Sequence, residues 1–426
     1  MGRFTARPIT FVIMGFTWLV LSTLVGLAIV IGLVYGTPLP AWLKPAHAHA
    51  ALIGGILQLI IGGLLACFWK LSEGDQARPD SRAGLFIILN AATAVLLAGF
   101  WLGNMKIVGG AGIVVIGAVL SVATITWQYS RRELTRPASS SWLYRFSFVA
   151  LIGGLTIAVA MAFRFMPEYY AHARLLHLHV ILMGFVTLTA IGATHHLLPA
   201  ILNTELYSPK LARLVTVLLP VGFAILIGGF ITSSLRLELV IGGLLVLSIA
   251  LYAYNLVRTW MRSGHPGNAA SDHLMIATFF LVLMMILGVL VGANFLPQIP
   301  VLPFGSLHLA AYIHMALIGF VLQTVFGALS YGIPLLLTTD RITSRKKQGS
   351  YRDQLAAIMD RWRTVQLIGL SLGTMSFGVL AAATWNYPLN SLPIQLAMWV
   401  TVCLLLSSVT LFAAKLAWAF GVRPSD

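Results

Sequence analysis

Charged residues are scarce in this chain of 426 residues, at 9% of the total, whereas hydrophobic residues make up 59%. A water-soluble domain of this length needs many more polar side chains to cover its surface, so the composition excludes one. Only two cysteines are present, Cys67 and Cys403, and both lie in apolar stretches. They provide neither a disulfide framework nor a cysteine-based metal or cytochrome c attachment motif.

Acidic residues are also few, with 12 Asp and Glu against 27 Lys and Arg and a net charge of +15. The basic residues are not gathered on one soluble surface but lie in short segments between apolar stretches, so we reject nucleic-acid binding. All the acidic residues fall in predicted loops or at the ends of apolar stretches. Proton pumps place ionisable groups within the membrane, so we do not expect pumping.

The apolar stretches predict an all-α integral membrane protein. About 20 apolar residues cross a bilayer as a helix. The chain contains about twelve such stretches, with the least certain division in the short turn at Asn104 to Lys106. Their centres lie near Leu21, Gly55, Ala92, Gly117, Gly154, Leu188, Val221, Leu245, Leu283, Phe320, Leu372 and Leu404.

The distribution of basic residues predicts the orientation of these spans. With both termini in the cytoplasm, 22 Lys and Arg residues fall on the inner side and five on the outer side. This bias is typical of proteins in a bacterial inner membrane, where cytoplasmic loops are rich in Lys and Arg. The longest polar segment, Thr338 to Arg363, is then a cytoplasmic loop. We interpret it as a solvated connector near anionic lipid, with a docking site for a partner as the alternative.

A sequence motif recurs three times along the chain, in the second, sixth and tenth spans. The motif is a histidine followed five residues later by a glycine, at His49–Gly55, His179–Phe185 and His314–Phe320. The three copies start 130 and 135 residues apart, which corresponds to four spans each. We therefore predict a single membrane domain (1–426) built from three four-helix repeats, at about 9–130, 142–262 and 273–420.

Most of the histidines collect at the predicted outer ends of the three motif spans. His47 and His177 precede the motif histidine by two residues, whereas Tyr312 holds that place in the tenth span, one turn after His308. Neutral imidazole is a common haem and metal ligand. The repeated register favours ligation at His49, His179 and His314, and the alternative is a hydrogen bond between neighbouring helices.

The other histidines have different predicted positions. For His172 and His308 taken singly, ligation and an interfacial position remain open. His195 and His196 lie further along the sixth span, near the cytoplasmic face, and the same interfacial interpretation is favoured for them. We place His265 and His273 in a cytoplasmic loop.

With these histidine and glycine motifs in spans two, six and ten, the sequence resembles subunit I of the haem–copper oxidase superfamily. The likeness is to the cbb-type oxidase and nitric oxide reductase branch, and to the related NnrS proteins. His177 to Gly184, followed by His196-Leu-Leu-Pro199, carries most of it. The resemblance implies twelve helices in three arcs and metal-binding histidines toward the periplasmic side.

The resemblance also implies particular ligands. His49 and His314 match the two axial ligands of a low-spin haem b, and His179 matches a copper ligand. His47 and His177 are the next candidates for the cofactor, and His308 is a further candidate for the metal. The family holds its haem propionates with an Arg pair that is absent here from Trp385 to Pro393. The outer-side substitutes are Arg164 and Arg174.

Two departures from the family pattern bear on catalysis. Leu211 to Ser233, the seventh span, contains no histidine where the family has a copper-ligating pair. Tyr312 replaces one histidine of the tenth span, so the ligand of the active-site haem is missing or moved to His308. We therefore expect a modified centre rather than an oxygen-reducing binuclear one.

Three functions follow as alternatives. The first is a haem-b redox protein that passes electrons or reduces nitric oxide or oxygen, with electrons from a partner subunit, a cytochrome or a quinol. The second is an NnrS-like haem or copper protein in nitric oxide stress or metal handling, without turnover, so enzymatic activity is left open. The third is a transporter, which we rank last because a twofold repeat with broken helices is typical of transporters.

Overall fold

The computed structural model describes residues 6–71, 79–132, 141–264, 266–297 and 299–424. It is 85% helical, and these residues contain no strand. Twelve helical spans within this part of the chain are long and apolar enough to cross a membrane. Nine of them are uninterrupted α-helices, at Pro8–Val34, Pro79–Trp101, Met105–Arg132, Ser141–Ala162, Pro209–Ile231, Leu235–Ser263, Ala269–Asn294, Arg363–Ala383 and Leu392–Gly421.

The second, sixth and tenth spans each contain a π-helical segment between two α-helical segments. The second span consists of Leu43–His49, the π-helix Ala50–Leu57, and Gln58–Leu71. The sixth and tenth spans follow the same plan, as Tyr170–His179, Val180–Thr187 and Leu188–Leu202, and as Ser306–His314, Met315–Leu322 and Gln323–Arg341. In each case the π-helix has eight residues and begins directly after the motif histidine.

The predicted number of spans is confirmed, since every predicted centre lies inside one of the twelve helical spans. The short turn at Asn104 is a true division between two helices. Gly103 has a φ of +65°, which glycine adopts without strain, and the side-chain oxygen of Asn104 accepts hydrogen bonds from the backbone N–H of Lys106 and Ile107. The turn therefore ends one helix and caps the next.

The polar segment after the tenth span contains a helix that is packed on one side. Its helix, Arg345–Asp360, buries the side chains of Leu355 and Met359, which are at most 1% exposed. The Arg341 guanidinium donates hydrogen bonds to Tyr351 Oη (2.8 Å) and to the Val422 carbonyl (2.6 Å). This connecting helix is thus held against the end of the last span.

Two compact units make up the chain, Met1–Val186 and Thr187–Asp426. The first unit contains the first five spans and the beginning of the sixth, and the second contains the remainder. The division does not coincide with the ends of the predicted repeats near residues 130 and 262, and the three-repeat organisation stays a prediction.

Packing at the motif glycine is alike in the two units. A Cβ on Gly54 would lie 2.6 Å from Trp18 Cγ on the preceding span, and a Cβ on Gly319 would lie 2.5 Å from Phe280 Cδ1 on the span before it. Real Cβ atoms do not approach so closely, so only glycine allows these aromatic rings to contact the helix backbone. The motif glycine therefore serves close helix packing in both places.

The prediction for His273 is wrong. This residue lies in the helix Ala269–Asn294 and is only 1% exposed. Its Nδ1 is hydrogen-bonded to Gln323 Oε1, and Gln323 Nε2 donates to Ser371 Oγ at 3.1 Å. In sequence, His273 follows polar residues, which indicated a loop. The structure instead buries it in the ninth span, next to Gln323 of the tenth span. His265 lies outside the described residues.

Candidate histidine site

The three motif histidines make the same hydrogen bond. The Nδ1–H of each ring donates to the carbonyl oxygen four residues earlier in its own helix: His49 to Pro45 (2.7 Å), His179 to Leu175 (2.9 Å) and His314 to Ala310 (2.7 Å). A carbonyl can only accept, so Nδ1 must carry the proton. In the neutral ring the lone pair is then on Nε2, the nitrogen available for a metal ion.

This hydrogen bond is the usual support of a metal-ligating histidine. A ligand imidazole commonly donates its second N–H to a carbonyl or carboxylate, which sets the tautomer, orients the ring and raises its basicity. The π-helix that starts at the next residue is a second local feature, and π-helical turns occur frequently at functional sites. Both features recur at His49, His179 and His314.

The residues two positions earlier contact the preceding span instead. His47 Nδ1 donates to the Ser22 carbonyl at 2.8 Å, and His177 Nδ1 donates to the Gly154 carbonyl at 2.9 Å. Tyr312 extends in the same manner, because its hydroxyl lies 2.6 Å from the position of a Cβ on Gly288. His47 and His177 thus also have the tautomer with the lone pair on Nε2.

Within the first unit, His49 and His177 are brought together. Their ring centroids are 6.5 Å apart and their planes differ by 12°. Phe100 packs beside His49, with the ring centroids 4.9 Å apart. Both histidines are half-buried, so this pair is partly shielded from solvent.

In the second unit, His314 packs edge-on against Phe377, at 5.3 Å between ring centroids and 84° between planes. His308 has a different environment. Its Nδ1 accepts a hydrogen bond from the Gly305 backbone N–H (3.2 Å), and its ring stacks on Trp385 at 5.5 Å and 16°. Because the Nδ1 lone pair is used, Nε2 carries the proton. In this conformation His308 caps a helix and is not in the ligating tautomer.

The two propionate candidates, Arg164 and Arg174, are both exposed. Arg164 has a φ of +58° and ends the fifth span, and its backbone N–H donates to the Met161 carbonyl at 3.0 Å. Arg174 lies in the first segment of the sixth span, one turn before His177. Their role toward a propionate stays a prediction.

The donor set determines which groups the site could hold. Within the part of the chain that the structure describes, no group of three or more His, Cys, Asp or Glu side chains is placed to hold a metal ion. Neutral imidazoles taken one or two at a time fit a haem, because the porphyrin itself supplies four nitrogens. They also fit copper(I), which accepts few ligands and binds imidazole. The residues present are therefore compatible with both.

Besides His273, sequence reasoning missed a second buried histidine in the second unit. His195 is 3% exposed, and neither ring nitrogen finds a hydrogen-bond partner among the described residues. Its ring packs edge-on against the buried Tyr252, at 5.2 Å between centroids. Its neighbour His196 is exposed, and the interfacial interpretation of that residue stays a prediction. No sequence signal separates the two, since burial here depends on Tyr252 from another span.

No family model matches the chain. It is similar to an uncharacterized protein of Aquifex aeolicus (strain VF5), with 28% identity over 156 residues. That stretch covers 36% of this chain and 40% of the Aquifex protein. The similarity therefore reaches less than half of either protein.

Proposed function

We propose that this chain is a haem-binding membrane redox protein of the haem–copper oxidase and nitric oxide reductase type. Its ligands come from the outer-end histidines His49, His179 and His314, with His47 and His177 next to them. Haem b is the proposed cofactor, and copper is the second proposed metal. The chain would pass electrons, or act on nitric oxide or oxygen at a modified centre, without pumping protons.

One observation carries the proposal. His49, His179 and His314 each donate Nδ1–H to the carbonyl four residues earlier, and each directly precedes a π-helix. Three half-buried imidazoles thus share one tautomer and one position in their helices, as ligands of a common type of centre would. The hydrogen bond prepares Nε2 for an electron-pair acceptor such as iron or copper.

A bound haem would supply a one-electron redox couple near the outer surface. The chain's own residues would orient the ligand rings through the Pro45, Leu175 and Ala310 carbonyls. Arg164 and Arg174 would neutralise the propionates, since a guanidinium matches a carboxylate in geometry and charge.

The same proposal includes the membrane topology. Three four-helix repeats would cross a bacterial inner membrane, with both termini in the cytoplasm. The charge bias of the loops and the similar stretch in a bacterial protein support this placement. Electrons would come from a separate subunit, a cytochrome or a quinol.

The second candidate function is an NnrS-like haem or copper protein in nitric oxide stress or metal handling, without turnover. The position of His308 favours it. This ring uses Nδ1 to cap its helix, and Tyr312 holds the other histidine place of the tenth span. The tenth span thus has no second histidine in the ligating tautomer beside His314.

The test is the cofactor content of the purified full-length protein. Haem is measured as its pyridine haemochrome and copper by elemental analysis, for the wild type and for His49→Ala, His179→Ala and His314→Ala. His196→Ala is the matched control, because it removes an exposed histidine from the same span as His179. We expect bound haem b or copper, with a loss in His49→Ala and none in the control. The proposal is wrong if the wild type holds neither, or if none of the three substitutions lowers the content.

A further inference from the structure

His49 and His177 lie close together in the first unit, on two different spans. His49 belongs to the second span and His177 to the sixth, and their ring centroids are 6.5 Å apart with the planes 12° from parallel. In sequence, the histidine nearest to His49 is His47, and the histidine nearest to His177 is His179. Only the fold brings His49 and His177 together.

The hydrogen bonds of the two rings make this contact unusual. His49 donates Nδ1–H to the Pro45 carbonyl, and His177 donates Nδ1–H to the Gly154 carbonyl. Both neutral rings therefore carry a lone pair on Nε2, and neither Nε2 has a proton to donate to the other. A group that accepts electron pairs, or donates protons, can therefore bind both rings.

We propose that His49 and His177 are the two protein ligands of one metal centre, either haem iron or a copper(I) ion. A metal–imidazole bond is about 2.0–2.1 Å long, so two rings on opposite sides of one metal would have centroids roughly 6 Å apart. The observed separation is close to this value. Because the donors are two neutral nitrogens without a carboxylate, the site suits these metals and not Ca²⁺ or Mg²⁺.

This inference rests on the proposed function and changes one part of it. The family resemblance pairs His49 with His314, whereas the structure pairs His49 with His177. If the metal is haem iron, His49 and His177 would both hold it, and the group would supply electron transfer rather than gas binding.

The surroundings of the pair agree with a metal site. Phe100 packs beside the His49 ring and limits its movement. The Gly154 carbonyl, which orients His177, belongs to the fifth span, where a Cβ on Gly154 would lie 2.7 Å from Ile181 Cδ1. The close contact of the fifth and sixth spans therefore holds the His177 ring in its orientation.

The experiment compares purified full-length wild type with His49→Ala, His177→Ala, the double variant, His314→Ala and the control His196→Ala. Haem and copper content are measured, and haemin and copper(I) are each titrated into metal-depleted protein. We expect His49→Ala and His177→Ala to lose the same equivalent, with affinity at least about tenfold weaker, and the double variant to lose no more. His314→Ala and His196→Ala should keep this equivalent. The titration that restores it identifies the metal.

The wild type alone provides a second measurement, should a variant fail to fold. If the metal is haem, near-parallel imidazole planes give an ordinary rhombic low-spin ferric signal in electron paramagnetic resonance, whereas perpendicular planes give a highly anisotropic one. If the metal is copper(I), X-ray absorption should show two nitrogen neighbours. A perpendicular-type signal, or a copper site with a different coordination number, contradicts the pairing.

The outcomes separate the inference from the proposed function. A wild type that holds neither haem nor copper, and takes up neither in the titrations, overturns both. Unchanged metal content and spectrum in His177→Ala, together with loss in His49→Ala and His314→Ala, overturns the pairing and leaves the proposed function standing.

Discussion

The imidazole of His47 fills the space above Gly26 on the first span. A Cβ at Gly26 would lie 2.6 Å from His47 Cε1, which is closer than any real Cβ contact. The second unit has a counterpart, since the Tyr312 hydroxyl lies 2.6 Å from the position of a Cβ on Gly288. In both units, a glycine on the preceding span makes room for the polar side chain two residues before the motif histidine.

Gly26→Ala should therefore displace His47 and weaken its hydrogen bond to the Ser22 carbonyl. Overpacking of this kind costs about 1–3 kcal/mol. The midpoint of thermal unfolding in detergent should fall. Gly63→Ala is the control, because a Cβ at this helical position meets no atom within 4 Å, and it should be neutral or slightly stabilising. Equal midpoints for the two variants would contradict the close contact.

Lys415 is buried in the last span, at 1% exposure, although its charge places it with the loop residues in sequence. Its ammonium donates to Gln366 Oε1 (2.7 Å) and to the Met359 carbonyl (2.9 Å). Gln366→Leu leaves the buried cation with one fewer acceptor, so we expect destabilisation of about 1–3 kcal/mol. Lys415→Met replaces the charge with a side chain of similar size and should cost much less.

The two Lys415 and Gln366 variants are compared by their unfolding midpoints in the same detergent. We expect the lower midpoint for Gln366→Leu. A lower midpoint for Lys415→Met than for Gln366→Leu would mean that the ammonium stabilises the bundle by more than its desolvation costs.

The connecting helix Arg345–Asp360 should detach when Arg341 is removed. The guanidinium donates to Tyr351 Oη and to the Val422 and Phe420 carbonyls, and these three bonds connect the tenth span, the helix and the end of the chain. Arg341→Ala should make the helix at least several times more sensitive to limited proteolysis. Arg352→Ala, which removes an exposed arginine from the same helix, is the control and should cleave at the wild-type rate.

The two buried histidines of the second unit should respond in opposite ways to substitution by phenylalanine. His273→Phe leaves Gln323 Oε1 without its partner, so a loss of about 1–3 kcal/mol is expected. His195→Phe removes two nitrogens that have no partner among the described residues, and the midpoint should stay or rise. A large loss in His195→Phe would instead indicate a buried water or ligand bound to that ring.

The spans were predictable because apolar length alone determines them, and all twelve centres lie inside a helical span. The register of His49, His179 and His314 was equally readable from spacing. The π-helices were not, since a hydrophobic pattern does not distinguish them from α-helices. The tautomers of these histidines could not be predicted either, because each depends on a hydrogen bond to the carbonyl four residues earlier and not on composition.

Interactions between distant segments account for the remaining differences from the structure. His49 and His177 lie on different spans far apart in sequence, so the sequence could not favour this pair over His49 and His314. His308 was a reasonable metal candidate until its bond to the Gly305 N–H fixed the opposite tautomer. An amphipathic run from Asp353 to Trp362 was visible in sequence, but the burial of Leu355 and Met359 depends on packing against other helices.

The central claim is that the outer-end histidines bind a haem or copper cofactor, and cofactor content tests it most directly. Haem b and copper are quantified per chain in purified wild type and in His49→Ala, with His196→Ala as the control. The proposal predicts a bound cofactor in the wild type and the control and the loss of one equivalent in His49→Ala. Equal content in all three proteins, or none in the wild type, would contradict it.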